Sequence, residues 1–218
     1  MSTLKTLDRG LSALWAIARA PHGLTVAELA AELGVDRAIA YRVAATLELH
    51  GLINRQPDGR LLLGAAVLEL ERRFAPQFRA QAQPLLVGLS AETQATAFLS
   101  LAQGDNAAAI LVSEPENVLI RVGYRVGSTH PLSRGAAGIA ILAGRPPSDG
   151  DTDEVIEARR LGYSLTRGRL QKGAVGVASP IASLDASIGV VAMEDLDIGQ
   201  AIGKVQDCAV RLAKLVGG

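Results

Sequence analysis

Leu24-Thr25-Val26-Ala27-Glu28-Leu29-Ala30-Ala31-Glu32-Leu33-Gly34-Val35-Asp36 is the stretch whose reading decides the fold. Thr25 and Glu28 have the spacing of a capping box. In that motif the hydroxyl accepts from a free N–H of the first turn and the carboxylate reaches back. Leu29, Ala30 and Leu33 recur at helical spacing. Gly34 can take the left-handed conformation that ends such a helix. Asp36 follows as a good N-cap for a second helix. There Ala40, Val43, Ala44 and Leu47 fall at i, i+3, i+4 and i+7 and form one buried face. Arg37, Ala38, Ile39, Tyr41 and Arg42 point elsewhere.

Working outward, the second helix ends near His50-Gly51. Leu52-Ile53-Asn54-Arg55-Gln56 and Arg60-Leu61-Leu62-Leu63 flank Pro57-Asp58-Gly59, a strong turn signal. Upstream, Leu7, Leu11, Leu14 and Ile17, with Trp15, predict an amphipathic helix that closes a three-helix core. Helix, turn, helix and hairpin in this order make a winged helix-turn-helix, which lays the N-terminal part of its second helix in the major groove of DNA. Arg37 and Arg42 are long enough to reach phosphates or guanine edges, and Ala38 and Ile39 suit a thymine methyl. Thr25 and Tyr41 join this face, and Arg55 and Arg60 on the hairpin can hold backbone phosphate. Helix pairs joined by a glycine turn also occur as mere packing units; the caps, the basic face and the basic hairpin together favour DNA. Residues 1–64 carry seven Lys/Arg against six Asp/Glu. Affinity must therefore come from where the arginines sit.

Across 218 residues the formal net charge is zero, which argues against a nonspecific nucleic-acid coat or a membrane-surface protein. The single cysteine, Cys208, excludes an intramolecular disulfide framework and a cysteine-rich metal site. No apolar run approaches the roughly 20 residues of a membrane span, and the N-terminus lacks a signal-peptide core. A soluble, cytoplasmic protein is expected.

Residues 65–81 predict a linker helix with an apolar stripe suited to pairing with a second copy. From about Gln83 the character changes. Pro84 is expected to start another helix. Strands are expected over Ala95–Leu101, Ala107–Val112 and Val118–Tyr124, with a hairpin turn at Gly104-Asp105-Asn106. Gly135–Ala143 predicts a buried helix and Asp153–Leu161 a short one. Val175–Ile181 and Ile188–Met193 predict strands, and a closing helix runs from about Asp197 to Leu215. This order suggests an α+β domain with an antiparallel sheet. The divisions are 1–64, 65–81 and 82–218.

With both halves in view, the sequence resembles the isocitrate lyase regulator (IclR) family of bacterial transcription regulators, over nearly the whole chain. The likeness lies in Leu7-Asp8-Arg9-Gly10-Leu11, Tyr41-Arg42 with Ala45-Thr46-Leu47, His50-Gly51-Leu52-Ile53 and Gly59-Arg60-Leu61-Leu62-Leu63-Gly64. It continues in Val126-Gly127-Ser128-Thr129-His130-Pro131-Leu132, Ala136-Ala137-Gly138, Leu161-Gly162-Tyr163 and Gly173 to Ile181. The resemblance implies a winged helix, a linker helix and a GAF-like C-terminal domain. That domain would bind a small organic effector, often a carboxylate or aromatic catabolite. The resemblance also implies homodimers or homotetramers on palindromic operator DNA. Family members often carry Ser or Thr where Ala38 and Ile39 stand.

Carried over by position, the effector pocket would be lined by Ala136, Ala137, Thr166, Ala174, Gly176, Ala192 and Glu194, with Arg134 and Arg167 near enough to supply a cation. The free N–H groups at the start of the Ala136–Ala137 helix suit a carboxylate. Enzyme signals are weak: the histidines show no metal-ligand spacing, Gly88-Leu89-Ser90-Ala91-Glu92 lacks the last glycine of a nucleophile elbow, and His130 before Pro131 looks like a turn. No metal or cofactor is expected. The competing reading is a small-molecule-binding or catalytic α+β protein whose N-terminal helices only mediate assembly.

Overall fold

The computed structural model describes residues 4–116, 123–193 and 195–217. The chain divides into two compact units, Met1–Pro76 and Gln77–Gly218.

The first unit holds α1 (Lys5–Arg19), α2 (Val26–Glu32), α3 (Arg37–Leu49), β1 (Ile53–Arg55) and β2 (Leu61–Leu63). The capping box of α2 forms in full. The Thr25 N–H donates to Glu28 Oε2 at 2.7 Å, and the Glu28 N–H donates to Thr25 Oγ1 at 3.2 Å. Gly34 closes the helix at φ +62°. Asp36 stands at the N-cap of α3, but its side chain makes no capping bond; only its backbone carbonyl accepts, from Ile39 and Ala40. Ala40, Ala44 and Leu47 are buried with Ile17, Leu29 and Leu61 in one core. The β1–β2 hairpin pairs Ile53 with Leu63 and Arg55 with Leu61, and Leu24 bridges to Leu61 on the other side.

α1 corrects one expectation. It buries Ala13 and Ile17 and half-buries Leu14, while Leu7, Leu11 and Trp15 stay exposed. The core has room for one narrow stripe, and small Ala13 lets α1 approach closely; the leucines counted as core lie outside that stripe.

α4 runs unbroken over Ala66–Thr93, through Pro76 and Pro84, instead of starting afresh at Pro84. A proline inside a helix removes one hydrogen bond and crowds the carbonyl four residues back. Ala82, Leu86, Leu89 and Ser90, buried around Pro84, hold the helix there.

The second unit is a six-stranded antiparallel sheet in the order β5-β4-β3-β8-β7-β6. Its strands are β3 (Thr96–Gln103), β4 (Asn106–Ser113), β5 (Thr129–Pro131), β6 (Ser164–Arg167), β7 (Ala174–Pro180) and β8 (Ala186–Met193). The helices are α5 (Gly135–Gly144), α6 (Asp153–Leu161) and α7 (Ile198–Leu215). Side chains alternate between the two faces of each strand. Ala97, Leu99, Val175, Val177, Ile188 and Val190 pack with α7 and the second half of α4. Phe98 and Ala178 pack with α5 on the other face. The architecture is α+β with an antiparallel sheet, as expected.

The expected strand Val118–Tyr124 falls largely outside the described residues; Gly123 and Tyr124 themselves are not strand. Two short edge strands, β5 and β6, were not expected. His130, taken for a turn, is the middle of β5 and pairs with Ala107. Edge strands of three or four residues show too little alternation to be seen in sequence. Among the described residues no helix is long and apolar enough to cross a membrane.

Candidate functional site

Two surfaces carry chemistry, one in each unit. In the first, Arg37, Ala38, Tyr41 and Arg42 are exposed along α3 and Ile39 is half-buried. Ala40, Ala44 and Leu47 make the buried face of the same helix. Arg55 of β1 lies over the Tyr41 ring, 5.5 Å from its centroid, and its Nε stands 3.6 Å from Glu48 Oε2. The hairpin arginine is thus held against α3.

Arg60 is engaged differently. Its Nη1 donates to the Gly23 carbonyl at 3.2 Å and lies 3.6 Å from Glu28 Oε2. Its backbone N–H donates to Asp58 Oδ1 at 3.0 Å. The guanidinium therefore braces the turn before α2 as well as standing at the surface. The Thr25 N–H, then the Thr25 hydroxyl and more weakly the Arg60 charge, hold the Glu28 carboxyl below its ordinary range. Thr25 itself is committed to the capping box.

The second surface is a cavity of about 310 Å³ between α5 and the sheet. Ala136 and Ala137 line it from α5, Thr166 from β6, and Ala174 and Gly176 from β7. Two hydroxyls from the sheet seat the start of α5: Ser164 Oγ donates to the Ala136 carbonyl at 2.6 Å and Ser187 Oγ to that of Ala137 at 3.0 Å. Small residues make the space, because α5 and β7 meet there through alanine and glycine.

Other carried-over positions are not in the wall. Ala192 pairs with Val175 and packs toward α7; its neighbour Val191 lines the cavity instead. One residue along a strand changes the face, so a carry-over by sequence alone fails by a single step. Arg167 fails for the same reason: Ser164 and Thr166 face inward and Arg167 is exposed. Arg134 is outside the wall, with Nη2 donating to the Arg169 carbonyl at 2.9 Å. Glu194 lies outside the described residues. The cation that does line the cavity is Arg169, paired with Glu154.

Sequence reasoning placed Thr166 in the wall but missed Tyr124 and His130. Ser100 Oγ lies 3.4 Å from Tyr124 Oη, and Tyr124 Oη lies 3.3 Å from His130 Nε2. His130 Nδ1 lies 3.1 Å from the Pro131 carbonyl oxygen. Phe98 meets Tyr124 edge-on at 5.0 Å. Burial raises the Tyr124 pKa above its ordinary value, with the Ser100 hydrogen bond acting the other way. The one available signal was scarcity: the chain has three Phe and three Tyr, and one of each meets here. Cys208 is a buried packing residue whose thiol burial pushes up to about 11.

The model of the IclR helix-turn-helix domain matches residues 6–57. The chain is 28% identical over 158 residues to the HTH-type transcriptional regulator TtgV of Pseudomonas putida, a match covering 71% of this chain and 58% of the relative. It thus spans less than two thirds of that relative's length. Among solved structures, an IclR transcriptional regulator from Alicyclobacillus acidocaldarius is similar at TM-score 0.58 and 24% identity, covering 99% of this chain and 100% of the other. An IclR homologue from Microbacterium hydrocarbonoxydans, complexed with 4-hydroxybenzoate, is similar at TM-score 0.58 and 19% identity, covering 96% and 98%. These two share the fold: a helix-turn-helix head followed by an antiparallel sheet with helices. Residues 6–57 thus match the IclR helix-turn-helix domain, and the whole chain has the fold of solved IclR transcriptional regulators.

Proposed function

We propose that this protein binds operator DNA through α3 and adjusts that binding when a small organic molecule enters the cavity of its C-terminal unit. The carrying observation is the outward edge of α3, where Arg37, Ala38, Tyr41 and Arg42 stand exposed with Arg55 locked beside them. In this reading Arg37 and Arg42 reach base edges, Ala38 and Ile39 touch apolar base surface, and Arg55 and Arg60 meet phosphate. The head is residues 1–64, the linker 65–81 and the sensor 82–218.

The effector half rests on the cavity and on the 4-hydroxybenzoate bound by a relative of the same fold. Assembly rests on uncovered apolar side chains: Leu7, Leu11 and Trp15 on α1, Leu68 and Leu70 on α4. A second copy would cover them, and dimers match paired half-sites on DNA. A homodimer is the unit of this proposal, and a homotetramer is two of them.

The test is fluorescence anisotropy with the DNA upstream of the protein's own gene, for wild type, Arg37→Ala and Arg42→Ala. Each variant should lose about 1–3 kcal/mol on the specific site and keep its weak binding to unrelated DNA. Equal binding of all three proteins to both DNAs overturns the proposal.

A further inference from the structure

The polar chain in the cavity wall fixes what kind of group a ligand can present to it, and this rests on the effector-cavity reading above. A carbonyl oxygen has no proton to give, so the 3.1 Å contact between His130 Nδ1 and the Pro131 carbonyl requires the proton on Nδ1. In the neutral ring Nε2 is then a bare lone pair. The contact at 3.3 Å from Tyr124 Oη to Nε2 therefore takes the single phenolic proton of Tyr124. With that proton used, the Ser100 hydroxyl must be the donor in its 3.4 Å contact with Tyr124 Oη. Ser100 is fully buried and His130 nearly so, while Tyr124 is half-buried at the cavity.

The chain runs one way, from Ser100 to Tyr124 to His130 to the Pro131 carbonyl, and every proton in it points along the chain. Among the described residues Tyr124 Oη keeps one unused lone pair, and Tyr124 lines the cavity. The wall there accepts and does not donate. Phe98, Ala136, Ala174 and Val191 are apolar parts of the wall, while its donors, among them Thr166, Gln171 and the Arg169 paired with Glu154, come from other segments.

We infer that the Tyr124 end of the cavity selects a ligand that brings a hydrogen-bond donor on an apolar body, such as a phenol, over one that brings only acceptors to Tyr124. An ether leaves the lone pair unpaired, and a carboxylate sets two lone pairs against it.

The experiment is calorimetric titration of the full-length protein with 4-ethylphenol, 4-ethylanisole and 4-ethylbenzoate, which share one body and differ in the polar end. Wild type should bind the phenol at least tenfold more tightly than the ether or the carboxylate. In Tyr124→Phe the preference of phenol over ether should vanish. In His130→Leu the tyrosine proton is released to the cavity, so Tyr124 becomes a donor and the preference should fall below about threefold while binding persists. Folding of each variant is checked by circular dichroism, and Ser100→Ala, which leaves the Tyr124–His130 bond intact, should keep the wild-type order. Ether or carboxylate binding as tightly as the phenol in wild type overturns the inference and leaves the cavity reading standing. A preference unchanged in both Tyr124→Phe and His130→Leu overturns it equally. No binding of any of the three by wild type removes the effector-cavity reading and the inference with it.

Discussion

α3 and α5 both begin without a side-chain cap, and what surrounds the bare ends separates them. On α3 the first residues, Arg37 and Ala38, face solvent. On α5 every residue except Leu142 and Gly144 is buried. Solvent beside α3 leaves room for long side chains, so its chemistry lies in what those side chains add. α5 packs on the sheet around a cavity, and it is built from Gly, Ala and aliphatic residues. Its contribution is the volume its side chains leave empty. A helix facing a partner and a helix walling a cavity therefore obey opposite rules of composition.

The sharpest way to break this contrast is to add one heavy atom to a side chain of each helix. A Cβ at Gly138 would lie 2.4 Å from the Leu132 carbonyl oxygen and 2.7 Å from its Cα, backbone atoms that cannot swing aside. Gly138→Ala should lower stability by about 1–3 kcal/mol, the usual scale of overpacking, measured by urea denaturation. Ala38→Ser on exposed α3 should stay within about 0.5 kcal/mol of wild type. Equal midpoints for the two variants would mean that α5 shifts freely, and the contrast in burial would lose its energetic content.

The caps sharpen the same comparison inside the first unit. Thr25 makes both bonds of its box, so Thr25→Ala should cost about 0.5–2 kcal/mol. The Asp36 side chain makes none, so Asp36→Ala should cost less than about 0.5 kcal/mol. A loss at Asp36 as large as that at Thr25 would show its carboxylate capping α3 in solution.

How much of this was legible follows from range along the chain. The Thr25–Glu28 box, Gly34 and the Ala40–Leu47 face are local patterns within a few residues, and the structure has all of them. Asp36 stands in the right place for a cap but its side chain makes no capping bond, which residue type cannot tell. The helix through Pro84 is held by burial against distant strands, and the local rule against proline lost to that packing. The cavity wall joins Tyr124 and His130, with Ser100 buried behind Tyr124, from segments with no shared periodicity. Where homology suggested wall positions on strands, alternation decided them: Thr166 and Gly176 face inward, Arg167 and Ala192 do not. Position along a strand is only half of the information, because face changes with every residue.

The smallest expected effect compares the units by pH. Glu28 sits on the exposed side of the first unit, and its carboxyl is held below the ordinary value of 4.5, first by the Thr25 N–H, then by the Thr25 hydroxyl. A carboxyl whose folded pKa lies below its unfolded one adds stability that is complete above the unfolded value and is lost as pH falls through the folded one. Glu28→Gln removes the ionisation while keeping an oxygen that can accept from Thr25. The gap in urea midpoint between wild type and Glu28→Gln should therefore be constant at neutral pH and narrow only below about pH 4.5. In Gly138→Ala, which changes no charge, the gap should not track that window. A Glu28→Gln gap that stays flat down to pH 3 would mean the carboxylate's bond to Thr25 adds nothing that the neutral amide does not, and the capping box would then act through geometry rather than charge.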